Sequence, residues 1–150
     1  MRGYAAIGLK DVKIPHNVGS ALRAAHCYGA SFVAVSGSRF KRLHSATDVT
    51  KAWRHLPVVE VADIFDATPY DCVPVAVELL PQARSLIDYT HPPRAFYIFG
   101  AEDQTLGVAT LSRCRDVIYV PTAWCMNLAA TVNVILYDRL AKHEAKSRNT

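Results

Sequence analysis

The chain has 150 residues, of which 51% are hydrophobic and 20% charged. That length suits one domain (1–150) that buries a core without a metal or disulfide staple, and the composition excludes intrinsic disorder and low-complexity classes. Lys and Arg number 17 against 13 Asp and Glu, a net charge of +4, which is a mild bias toward polyanionic partners and not specific to one.

Taken in order, Tyr4–Leu9 is an apolar run that predicts a buried strand. It ends in a loop through Pro15, where Asn17 sits as a candidate N-cap. Leu22, Ala25 and Cys27 follow at helical spacing and Gly29 is the stop signal. Phe32–Ser36 is rich in strand formers, so the first 36 residues read as a βαβ unit with parallel pairing. Arg39, Lys41 and Arg42, with His44 nearby, form a basic cluster, and Lys51, Arg54 and His55 come next. This cluster is either a solvated face or a phosphate-contacting patch.

Val58–Val61 predicts a third strand, Asp63–Ala67 a helical turn, and Val73–Leu79 a fourth strand with Pro74 near its start. Ala95–Phe99 is a fifth strand entering Gly100, Val108–Cys114 a short helix, and Val117–Val120 a sixth strand stopped by Pro121. In Asn127–Lys142, the residues Leu128, Val132, Ile135, Leu136 and Leu140 fall on one helix face. Alternating strands and helices imply an α/β fold with a largely parallel sheet.

Cys27, Cys72, Cys114 and Cys125 have no zinc-finger spacing, so no metal is expected. They read as reduced, mostly core cysteines of a cytoplasmic protein. Val117 to Tyr137 holds no charged residue, but Pro121, Asn127 and Asn133 interrupt it. A strand, a loop and a core-facing helix explain it better than a membrane span, and no secretory signal follows Met1.

Ligands of parallel sheets bind in the loops after the strands' carboxyl ends. Three such loops stand out. The first carries N-V-G-S-A-L-R, Asn17 to Arg23. The second carries F-G-A-E-D-Q-T-L-G, Phe99 to Gly107, which matches neither GxGxxG nor a GK[ST] phosphate loop. The third carries C-M-N-L-A, Cys125 to Ala129, where Asn127 is a candidate helix cap.

In this order and spacing the three segments resemble the motifs of the SPOUT superfamily, nearest its SpoU-type (TrmH-like) RNA 2′-O-ribose methyltransferases. The family patterns are approximately N-x-G-x-x-x-R, F-G-x-E-x-x-G with a small insertion, and [SL]-[LM]-N-x-[SA]. The match runs from Asn17 to Asp138. With no added RNA-binding domain, the chain is similar to the minimal enzymes that modify the tRNA wobble nucleotide.

The resemblance implies a parallel-sheet α/β knot with a C-terminal deep trefoil knot, and a homodimer whose active site draws on both subunits. It implies S-adenosylmethionine as methyl donor and RNA, foremost tRNA, as substrate. Ribosomal RNA, or a knotted RNA-binding protein without turnover, are the alternatives. By the same resemblance Arg23 contacts the target ribose and phosphate, Asn17 shapes the catalytic loop, Glu102 is the second motif's glutamate, and Asn127 supports the reacting groups. Phe99, Gly100, Ala101, Glu102, Gly107, Val120, Cys125, Met126 and Leu128 are the implied cofactor-binding positions. Cys125 and Ala129 stand where serines are common. Arg23 is too basic to take a proton itself. The general base is therefore open between a substrate phosphate placed by Arg23 and His16.

Overall fold

The computed structural model describes residues 3–37 and 51–150. The basic cluster of Arg39, Lys41 and Arg42 lies outside the described residues.

The elements run β1 (Tyr4–Lys10), α1 (Pro15–Cys27), β2 (Val33–Ser36), a 3-10 turn (Ala52–Arg54), β3 (Val58–Val61), a second 3-10 turn (Ile64–Ala67) and β4 (Val73–Val77). They continue with β5 (Arg84–Ser85), a third 3-10 turn (Leu86–Asp88), β6 (Arg94–Phe99), α2 (Val108–Leu111), β7 (Asp116–Tyr119) and α3 (Leu128–Arg148). The strands form one sheet in the order β3-β2-β1-β6-β4-β7-β5. Every pairing is parallel. All carboxyl ends therefore open on one edge, and the loops after β1, β4, β6 and β7 meet there.

Strand alternation divides the core between two faces. Ile7, Leu9, Tyr97 and Phe99 pack with Val18 and Leu22 of α1 and Val132, Ile135 and Leu136 of α3. Ala6, Phe96 and Ile98 face the other way, onto Ile64, Cys72 and Leu106. α1 and α3 lie side by side on the first face, joined by Asn17 and Asn127 near their starts and by an edge-on contact of Tyr28 with Tyr137.

Several sequence expectations need correction. Asn17 is not an N-cap. Pro15, pre-set for a first helical position, starts α1 after Ile14, which leaves Asn17 buried in the first turn. Asn127 does cap α3, accepting from the N–H groups of Ala129 and Ala130. Of the cysteines only Cys72 is buried. Cys27 and Cys125 are exposed because one lies on the outer stripe of α1 and the other in the loop before α3.

Leu140, expected on the inner face of α3, is 40% exposed. Arg139 takes the buried place instead. Its guanidinium donates to the carbonyls of Pro92, Pro93 and Tyr4 and to Tyr97 Oη. Alongside it, His91 Nδ1 meets Tyr97 Oη at 2.6 Å and His91 Nε2 meets Asp138 Oδ2 at 2.8 Å. Lys142 pairs with Asp138 at 2.7 Å and donates to the carbonyl of Tyr89. This network fastens α3 to the segment entering β6. Among the described residues, no helix is long and apolar enough to cross a membrane.

Candidate active site

The three motif loops are joined by side-chain hydrogen bonds. Asn17 Nδ2 donates to Glu102 Oε1 at 2.7 Å. Asn127 Nδ2 donates to Asn17 Oδ1 at 3.1 Å. Glu102 Oε2 accepts from the backbone N–H of Lys13 at 3.1 Å, and Lys13 Nζ stands 3.8 Å from Asp103. Asn17 is 6% exposed, so its amide must satisfy both its donor and its acceptor inside the protein. It does so by linking the loop after β6 to the cap of α3.

Burial pushes the Glu102 carboxyl up, but the Asn17 amide and backbone N–H groups, Lys13 and Ile14 among them, outweigh it and hold Glu102 below the ordinary carboxylate range. Glu102 is thus an anion whose oxygens are committed to holding the loops.

The other motif positions distribute by depth. Phe99 and Leu128 are buried core side chains, so only their backbone faces the loops. Gly100, Ala101, Gly107, Val120 and Met126 are half-buried along the rim, and Cys125 is exposed. Gly107 is the N-cap of α2, with φ of 82°. At Gly100 an added Cβ would stand 3.2 Å from Leu106 Cγ, so the strand-to-loop corner admits only glycine without displacing Leu106.

Arg23 is exposed and shares the outer stripe of α1 with His16, Ser20 and Cys27, at helical i, i+4 and i+7 spacing. It therefore lies on the solvent side of α1, whereas Asn17 is on the buried side. Among the described residues no hydrogen bond or ion pair engages its side chain.

The sequence reading missed Glu78, which directly follows β4. Its Oε1 accepts from the Leu106 N–H at 2.9 Å, pinning the loop after β6. Its Oε2 is buried without a hydrogen-bond partner in the protein. The signal was available, since an acid directly after the apolar run Val73–Val77 marks a strand's carboxyl end. β4 lies between β6 and β7 in the sheet, so this unsatisfied acceptor sits between the second and third motif loops. A ligand with N–H or O–H donors would satisfy it. Together with the Gly100 corner and the rim backbone, these residues fit an adenosyl amino-acid cofactor. Among the described residues no group of His, Cys, Asp and Glu could hold a metal ion.

Comparisons with known proteins identify the family and the fold. The family model described as the SpoU rRNA Methylase family matches residues 5–137. No curated protein sequence matches significantly. Among solved structures, the SpoU methyltransferase AviRb from Streptomyces viridochromogenes, in complex with the cofactor AdoMet, superposes with a TM-score of 0.82 at 21% identity. That match covers 97% of this chain and 62% of that one. An AdoMet-bound rRNA methyltransferase from Sinorhizobium meliloti gives 0.81 at 18% identity, covering 95% of this chain and 57% of that one. The chain thus spans less than two thirds of both. A structure concerned with the 2-OH methylation of C/U34 on tRNA gives 0.79 at 19% identity, covering 97% of this chain and 99% of that one.

Proposed function

This chain belongs to the SpoU rRNA methylase family, and from that membership we propose that it moves a methyl group from S-adenosylmethionine to a ribose 2′-hydroxyl of RNA, with tRNA as the substrate class. The observation that carries the reading is the Glu102–Asn17–Asn127 linkage, which draws the three motif loops to one edge of the sheet. The tRNA assignment is supported by similarity to the structure concerned with the 2-OH methylation of C/U34 on tRNA.

Bound S-adenosylmethionine would supply an electrophilic methyl carbon. Gly100, Ala101, Val120, Met126 and the Leu128 backbone would hold it, with Glu78 Oε2 accepting from one of its donors. The transfer is an in-line displacement, in which the ribose oxygen forms a bond to carbon as the carbon–sulfur bond breaks. Alignment and exclusion of water are the main tasks, worth up to ~7–11 kcal/mol in ideal cases. Asn17 and Asn127 keep the loops in register. Arg23 binds an RNA phosphate beside the target ribose, and that phosphate takes the hydroxyl proton while the guanidinium stays charged. His16, exposed in the first turn of α1, is the other candidate for receiving it.

Two features favour a shared site in a homodimer. Arg23 lies on the exposed side of α1 and Asn17 on its buried side. Ile14, Trp124, Tyr137 and Leu140 are exposed apolar side chains around α1 and α3, an arrangement that suits burial against a second copy. A C-terminal trefoil knot is part of the proposal. β5 lies beyond β7 from β4, so residues 78–83 must cross the end of a strand that comes later in the chain, as threading requires. Arg39, Lys41 and Arg42 enter as RNA contacts on their charge. Calorimetry with S-adenosylmethionine, followed by tritium-methyl transfer to total tRNA and to ribosomal RNA, tests the reading. Saturable cofactor binding and label in tRNA are expected; no binding, or label only in ribosomal RNA, would refute the corresponding part.

A further inference from the structure

Away from the motif loops, His26 at the end of α1 stacks on His55. The ring centroids are 5.0 Å apart with 21° between planes, and both residues are exposed. His55 follows the 3-10 turn Ala52–Arg54, whose Arg54 guanidinium lies 5.1 Å over the Trp53 ring. Two imidazoles, an indole and a guanidinium thus gather where α1 meets this turn.

The stretches of chain that carry them are rich in cations and poor in acids. From Val12 to Thr47 and from Val49 to Val59 the sequence contains no Asp or Glu. The described residues there include the cations Lys13, Arg23, Lys51 and Arg54. Face-to-face rings do not aim their nitrogens at a common point, so the pair is not built as a metal ligand set. Flat rings beside cations, on stretches of chain poor in acids, are instead the chemistry that receives a nucleobase, by stacking on aromatic and guanidinium planes while the backbone charge is neutralised. The position suits this. His26 lies three residues beyond Arg23, about 4.5 Å along the helix and on the same side.

We propose that the His26–His55 pair, with Arg54 and Trp53 beside it, is a stacking platform for an unpaired RNA base that flanks the target nucleotide. The proposal rests on the reading of Arg23 as the contact to the target ribose and phosphate. It makes this surface a source of preference for looped over paired RNA, since a base held in a duplex cannot lie on the rings.

The test is fluorescence anisotropy of the full-length protein with two labelled RNAs, a hairpin with an unpaired loop and a fully paired duplex. Wild type should prefer the hairpin. His26→Ala/His55→Ala should lose about tenfold in hairpin affinity, the scale of one lost base stack, with duplex binding unchanged. His26→Phe/His55→Phe should keep the preference, because it keeps the ring faces. His55→Ala alone, which leaves α1 intact, should lose part of it and stands in if the double alanine variant does not fold. Equal hairpin affinity in wild type and alanine variants, or an equal loss on both RNAs, would overturn the platform while leaving the enzymatic reading in place. Failure of the wild type to bind either RNA would instead overturn the reading on which the platform rests.

Discussion

Asn17 Nδ2 donates to Glu102 Oε1 at 2.7 Å across 85 residues of chain, and the same Asn17 side chain accepts from Asn127. One buried amide therefore ties the first turn of α1 to two loops that come much later. Asn17→Ala should leave Glu102 and Asn127 short of a partner and cost about 1.5–3 kcal/mol of stability, the scale of a hydrogen bond to a charged group. Asn17→Asp should cost more, because it sets a carboxylate against a carboxylate. Denaturant melts of the two variants rank them, and equal stability of Asn17→Ala and wild type would contradict the linkage.

Glu102 gives a pH signature. Its folded-state pKa lies below the ordinary 4.5, so the ionised group favours folding above that value. The contribution is lost as pH falls from about 4.5 through the lowered pKa. Glu102→Gln keeps an acceptor but no charge. Its stability deficit relative to wild type should shrink over that acid window, and a deficit independent of pH would contradict the assignment.

The network under α3 also loses stability as pH falls, but over a higher window. Burial drives His91 down from 6.5 to about 4, although Asp138 opposes it and Lys142 and Arg139 add to it. The unfolded chain then takes up the proton first as pH drops. His91 therefore costs stability between 6.5 and about 4, up to roughly 2–3 kcal/mol. Urea unfolding of wild type and His91→Gln across that range should show a steeper decline for wild type.

Arg23 is exposed and no described residue engages its side chain, so Arg23→Ala should melt like wild type and bind S-adenosylmethionine normally. Methyl transfer should fall about 100-fold or more if the guanidinium holds the reacting phosphate. Full transfer by the variant would remove Arg23 from the mechanism.

A shared site adds a complementation test. Arg23→Ala and Asn17→Ala are each expected to be impaired alone. Mixed and allowed to exchange subunits, they should regain part of the activity, because one composite site then has Asn17 from one chain and Arg23 from the other. No recovery despite exchange would place both residues in the same subunit's site.

The architecture was largely legible in the sequence, for a local reason. Each long strand is an apolar run that ends at a loop residue, and the runs Tyr4–Leu9 and Ala95–Phe99 fall within one residue of the observed Tyr4–Lys10 and Arg94–Phe99. The two-residue β5 and the turns at Ala52–Arg54 and Leu86–Asp88 carry too little pattern to be read. Sheet order was not legible, because placing β6 between β1 and β4 depends on contacts far apart in sequence. The misreading of Asn17 has the same origin. An asparagine just after a proline looks like a cap, and only the distant Glu102 shows why it is buried. Arg139 was passed over since a charge on an apolar helix face is expected to point outward, unless carbonyls such as those of Pro92 and Pro93 wait for it.

The central claim is transfer of a methyl group to a ribose. It is tested most directly by mass spectrometry of the nucleosides released from tRNA after incubation with the protein and S-adenosylmethionine. The account predicts one nucleoside whose added mass stays with the sugar when the glycosidic bond is broken. A methyl group retained on the base, or unmodified RNA despite bound cofactor, would contradict it.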